Sequence, residues 1–200
     1  LNDWNQAYSD KNTPLAYRFS DEFVRSFHLA DDSERGKTEN ITILDQENSF
    51  LKWHRFDKHP DVIEVNLDQK IRPYEKATLK LTYVVKIPND RFTKYGWDEN
   101  GNMNLKNWFL TPARFENHEF VKYSNYNLDD ISNGIADFQV SIKVPSNSQI
   151  TSDLNEISVS KKENITIYEL SGKNRTDFNL FFEPKTTFYS YKNSIVNVET

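Results

Sequence analysis

Residues 134–145 read Gly-Ile-Ala-Asp-Phe-Gln-Val-Ser-Ile-Lys-Val-Pro, with apolar and polar positions alternating through most of the run. Phe138, Val140, Ile142 and Val144 fall on one face and Asp137, Gln139, Ser141 and Lys143 on the other, the period of a strand with one dry face. Pro145 has no N–H for a further rung and ends it. Residues 77–87 repeat the pattern, with Ala77, Leu79, Leu81, Tyr83 and Val85 on the apolar side and Pro88 as the stop. Shorter runs at 39–45, 50–56, 62–67, 155–160, 164–170, 177–182 and 186–191, separated by turn residues, predict further strands. Such spacing predicts an all-β fold of sandwich-like or saddle-shaped open antiparallel sheets.

One stretch has a different period. Thr13 precedes Pro14 as an N-cap residue precedes a first helical turn, and Leu15, Phe19, Phe23 and Phe27 then recur every four residues. This predicts one peripheral amphipathic helix over residues 14–29. The charged residues 31–37 predict a solvated loop. The whole of 1–200 is expected to form a single β domain, with 186–200 as a last strand or a linker to a following domain.

Composition sharpens this picture. A chain of 200 residues can remove roughly 70% of its surface from water. Its hydrophobic fraction is only 36%, so 14 Phe, 10 Tyr and 4 Trp must supply much of the core. A net charge of −5 with both signs interspersed argues against a nucleic-acid partner, and no run of 18 apolar residues offers a membrane segment. There is no cysteine, hence neither disulfide nor thiolate chemistry. The chain begins at Leu1 rather than Met, which suggests a processed or excised segment; an exported or cell-envelope setting is favoured over a cytoplasmic one.

Three patterns invite a chemical reading. His118-Glu119-Phe-Val-Lys122 starts like the His-Glu-x-x-His zinc helix, but its fifth position is a cation that cannot ligate while protonated. Asp98, Asn100 and Asn102 are spaced like the start of a calcium loop, yet the sixth position is Met103 and the twelfth Phe109, and Asn100-Gly101 favours a two-residue hairpin turn with both residues at positive φ. Asp129-Asp130 is an adjacent pair whose carboxylates would diverge rather than converge on a substrate. Neither a catalytic residue nor a metal site is expected in these 200 residues. The long, weakly periodic passage 89–130, rich in Asn and Tyr, is instead expected to be functional or to pack on a partner surface.

The opening Leu1-Asn-Asp-Trp-Asn-Gln-Ala-Tyr-Ser-Asp-Lys-Asn-Thr-Pro-Leu-Ala16, the segment Trp108-Phe-Leu-Thr-Pro-Ala113, the loop Lys122-Tyr-Ser-Asn-Tyr-Asn-Leu-Asp-Asp130 and the strand from Ala136 to Pro145 together resemble the N-terminal β domain of aminopeptidase N family zinc metallopeptidases, in the branch found in Bacteroidetes-type bacteria. The resemblance spreads over residues 1–155. It implies a non-catalytic domain that docks on a catalytic domain of the same polypeptide and walls one side of its active-site cavity. Zinc, its His-Glu-x-x-His ligands and the strand that grips the substrate amine would all lie in that following domain, peptide substrate would be met only indirectly, and the first strands of the domain would lie upstream of Leu1. Where family members place a Gln near the substrate amine, this chain has Thr111, Pro112, Ala113 and Arg114. The residues expected at the interface or cavity wall are Trp108, Thr111, Arg114, Phe115, Tyr123, Asn125, Tyr126, Asp129 and Asp130. Two rival readings remain: a free-standing β-sandwich binding module for a carbohydrate or other ligand, with Trp and Tyr stacking on sugar rings, and a structural envelope domain.

Overall fold

The computed structural model describes residues 1–57, 59–121, 133–184 and 190–199. Among them every strand pairing is antiparallel, and the fold is all-β with open sheets, as the alternating pattern predicts. The chain packs as two compact units, Leu1–Phe92 with Asn107–Gly134, and Thr93–Lys106 with Ile135–Thr200.

In the first unit, strands β1 (Lys37–Leu44) and β4 (Lys80–Lys86) pair with each other, as do β2 (Trp53–Phe56) and β3 (His59–Val65). The N-terminal residues run beside β3. Leu1 accepts from Ile63 N at 2.9 Å and Asp3 N donates to Asp61 O at 2.8 Å, after which the chain turns into a 3-10 helix, Trp4–Tyr8. Asp3 is fully buried, and its carboxylate makes the turn possible. One oxygen accepts from Thr38 of β1 at 2.7 Å, and the other takes the Arg55 guanidinium of β2 at 2.6 Å. Arg55 also donates to Pro60 O at 2.6 Å.

The single helix predicted over residues 14–29 is in fact two, α1 (Pro14–Asp21) and α2 (Arg25–Leu29). Thr13 caps the first as expected, its hydroxyl accepting from Ala16 N at 3.2 Å. The break follows from how α1 closes. Val24 N donates to Phe19 O at 2.7 Å and Phe23 N to Ser20 O at 3.1 Å, the paired bonds of a helix end whose terminal residue turns left-handed. That residue is Phe23, at φ 59°, where glycine is the usual occupant. Its ring is consequently swung out of the apolar stripe and is 81% exposed, while Leu15, Phe19 and Phe27 stay buried with Ala7, Tyr8, Ala16, Ala30 and Phe92. The Phe27 ring lies 5.1 Å from both Phe19 and Phe92 and carries the Arg35 guanidinium 5.4 Å from its centre. Arg35 is therefore a buried part of this cluster rather than a member of a fully solvated loop.

In the second unit, β5 (Gly96–Trp97), β6 (Met103–Leu105), β10 (Gln149–Ser152) and β13 (Leu180–Glu183) form one sheet in the order β10-β13-β6-β5. The long strands β9 (Ala136–Pro145), β11 (Asn155–Lys162) and β12 (Ile165–Arg175) form another in the order β11-β12-β9. On one face of this second sheet Phe138, Val140, Ile142 and Val144 lie opposite Gly172, Leu170, Tyr168 and Thr166. A Cβ at Gly172 would sit 2.5 Å from Leu154 Cδ2, so the Leu154 side chain would have to shift to admit a larger residue there. Strands β14 (Ser190–Lys192) and β15 (Asn197–Glu199) pair as a last hairpin within the span 186–200.

Two outcomes test these assignments. Phe23→Gly should stabilise the chain by about 0.5–1 kcal/mol, because it relieves a left-handed Phe without removing a buried ring; a loss of stability in urea unfolding would contradict the assignment. Asp3→Ala should cost about 3 kcal/mol by leaving the largely buried Arg55 charge without its carboxylate. A change below about 1 kcal/mol would show that the pair is dispensable.

Candidate docking site

The segment that leads to the predicted interface is pinned on three sides. Asn2 and Thr111 exchange both backbone hydrogen bonds, at 2.8 and 3.1 Å, Asn5 Nδ2 donates to Trp108 O at 2.7 Å, and Leu110 N donates to the Tyr83 hydroxyl of β4 at 3.2 Å. These partners lie far away in sequence, so residues 108–111 act as a fixed base. Trp108 is half-buried, with its ring edge-on to Phe109 at 5.6 Å. Thr111 is buried, and its hydroxyl donates to Asn133 Oδ1 at 3.4 Å, while Asn133 Nδ2 donates to Asn107 Oδ1 at 3.3 Å. The Thr111 side chain thus belongs to a buried polar chain and presents no surface of its own.

Beyond this base the chain forms a short hairpin of β7 (Phe115–Glu116) and β8 (Glu119–Phe120). Its turn is Asn117-His118, and both residues have positive φ, 49° and 69°, as a type I′ connection requires. Val121 N closes the hairpin on Arg114 O at 2.8 Å, and Arg114 reaches Glu116 at 3.0 Å. The rings of Phe115 and Phe120 face each other across the strands, edge to face at 5.0 Å, yet remain 58% and 57% exposed. An aromatic pair held by its own turn and left in water is a ready contact surface.

Of the nine predicted interface residues, Arg114 and Phe115 stand on this hairpin, Trp108 and Thr111 form its base, and Tyr123, Asn125, Tyr126, Asp129 and Asp130 lie outside the described residues. Phe120 was not singled out from the sequence. The signal was present in the mirrored Phe-Glu-Asn-His-Glu-Phe of 115–120, which reads outward identically from a two-residue turn.

The two motifs that resemble metal sites have other uses. His118 is a turn residue and Glu119 belongs to β8, so they do not share a helical face. Asp98 takes Asn100 N at 2.8 Å, Asn102 N at 2.9 Å and Asn102 Nδ2 at 2.8 Å into its own carboxylate. Desolvation opposes ionisation there, but these bonds outweigh it and hold the carboxyl below its ordinary 3.8. The expected Asn100-Gly101 two-residue turn is instead part of a three-residue loop in which Gly101 alone has positive φ, 83°. Among the described residues no group of three or more His, Asp and Glu side chains could hold a metal ion, and no helix is long and apolar enough to cross a membrane. None of the four tryptophans is exposed.

No protein-family model, curated protein or solved structure matches the chain.

Tyr83 reports on the base of the hairpin. Burial pushes its phenol above the ordinary 10, the Leu110 N–H bond opposes this, and the Asp3 charge adds to it. The neutral phenol therefore contributes stability at pH below 10 that is lost as pH rises through the higher folded value. In an alkaline absorbance titration Tyr83 should ionise late, and Tyr83→Phe should remove its share of the late component at a stability cost of about 1 kcal/mol. An unchanged late component would show that Tyr83 is not the shifted group.

Proposed function

We propose that this chain is the non-catalytic N-terminal β domain of a zinc aminopeptidase-like metallopeptidase. It docks on the catalytic domain and walls one side of the active-site cavity. The observation that carries this reading is the Phe115/Phe120 hairpin, an exposed aromatic pair raised on a base that is bonded to the N-terminal segment and to β4. Its position immediately after the Trp108–Ala113 segment that resembles the peptidase family supports the same assignment. Arg114 and Glu116 flank the pair with opposite charges, which suits registration on a polar rim. Zinc and the chemistry of peptide hydrolysis belong, in this reading, to the following domain.

The test uses the longer polypeptide that carries the chain. Its aminopeptidase activity and zinc content should be present while the 200-residue chain alone has neither. Phe115→Asp with Phe120→Asp should uncouple the two domains in thermal unfolding and change kcat/KM for peptides at least tenfold, the loss expected when a buried aromatic anchor is removed. An inactive, zinc-free polypeptide would overturn the peptidase assignment. Full activity and unchanged coupling in the double variant would overturn the docking site.

A further inference from the structure

The β11-β12-β9 sheet ends on one side at β11 and on the other at β9, and the two edges are built differently. β11 carries a register break between Glu156 and Ser158 and ends in Lys161-Lys162, both of which discourage a further strand. β9 pairs with β12 in unbroken register from Phe138 to Pro145. Among the described residues no strand pairs with its other edge, and Asp137, Gln139, Ser141 and Lys143 are exposed.

We propose that β9 is a homotypic docking edge, joining a second copy of this chain by antiparallel strand pairing about a two-fold axis at Val140. The argument rests on the order of side chains. Around Val140 the strand reads Asp137-Phe-Gln-Val-Ser-Ile-Lys143, and chemical type is mirrored with charge inverted. In the two-fold register Asp137 faces the partner subunit's Lys143, and Lys143 faces the partner subunit's Asp137. Gln139 faces the partner's Ser141, Phe138 faces the partner's Ile142, and Val140 faces itself. Both charge pairs fall on the polar face, and the apolar face continues across the junction.

No neighbouring register does this. A slip by one residue sets the apolar face against the polar one. A slip by two, in one direction, places Asp137 opposite Ser141 and Lys143 opposite Ile135, and in the other places Asp137 opposite Pro145 and Lys143 opposite Gln139. Opposite charges meet only when Val140 is its own neighbour. Within the chain, Asp137 accepts from Asn174 N at 2.9 Å, which leaves its second carboxylate oxygen for the partner. The seven-residue register spans about 20 Å and makes one continuous six-stranded sheet. This edge lies in the second unit and does not rest on the docking hairpin of the first.

The chain has no cysteine, so a single introduced sulfur reports position without ambiguity. Self-opposed side chains sit with Cβ atoms about 4.5–5.5 Å apart, within reach of a disulfide after slight adjustment. Val140→Cys should therefore form a disulfide-linked dimer under mild oxidation, at least about tenfold faster than Val159→Cys on β11, which shares the rung of Ile142 through Tyr168. Wild-type chain should show a concentration-dependent monomer–dimer equilibrium in sedimentation. Lys143→Asp should weaken it about tenfold, since two like-charge pairs replace two opposite ones. Asp137→Lys combined with Lys143→Asp should recover it, with circular dichroism confirming that each variant is folded. Monomer at every concentration would overturn the proposal, as would equal cross-linking through Val159→Cys or no rescue by the folded double variant.

Discussion

The first unit depends on a carboxylate buried at the start of the chain. Asp3 meets β1 through Thr38 and β2 through Arg55, while its own N–H meets Asp61 of β3. A fully buried carboxylate is costly unless its oxygens are matched by donors. Here Arg55 is the counter-ion and Thr38 a further donor, and Arg55 is itself fixed by Pro60 O. One charge thus couples two separate strand pairs that share no backbone ladder. Through the residues on either side it also fixes the 108–111 segment, because Asn2 and Asn5 hold that segment. The exposed hairpin is rigid at its foot for a reason that lies more than a hundred residues upstream in sequence.

Much of the sheet structure was legible in the alternation of side chains. Residues 134–145 and 77–87 contain β9 and β4, and Pro145 closes its strand as its missing N–H requires. Thr13 and Pro14 likewise mark the true start of α1. The helix end was not legible, because Leu15, Phe19, Phe23 and Phe27 give a continuous stripe while the chain turns left-handed at Phe23, a position that normally announces itself with glycine. The candidate site was legible in part. Arg114 and Phe115 stand on the surface, but the burial of Thr111 comes from pairing with Asn2, a contact that no local pattern encodes.

The two edges of the β11-β12-β9 sheet are managed in contrasting ways. β11 is guarded by a bulge and two lysines, whereas β9 keeps a regular ladder from Phe138 to Pro145 and a mirrored charge pattern. Even the hairpin at 115–120 is short enough that its backbone offers little to a passing strand, leaving its aromatic side chains as the feature presented to a partner.

Left-handed backbone positions are plentiful in a chain with only five glycines. Asn40, Asn48, Asn107, Asn117 and Asn174 occupy five of them, and Asn40 and Asn174 sit at the register breaks of β1 and β12. Asparagine tolerates this conformation because its short amide can bond the local backbone, yet it keeps a Cβ that narrows what the disordered chain can explore. Each such site therefore gives up less conformational entropy on folding than glycine would. The bends of this protein are to that extent prepared in the denatured ensemble, before any sheet has formed.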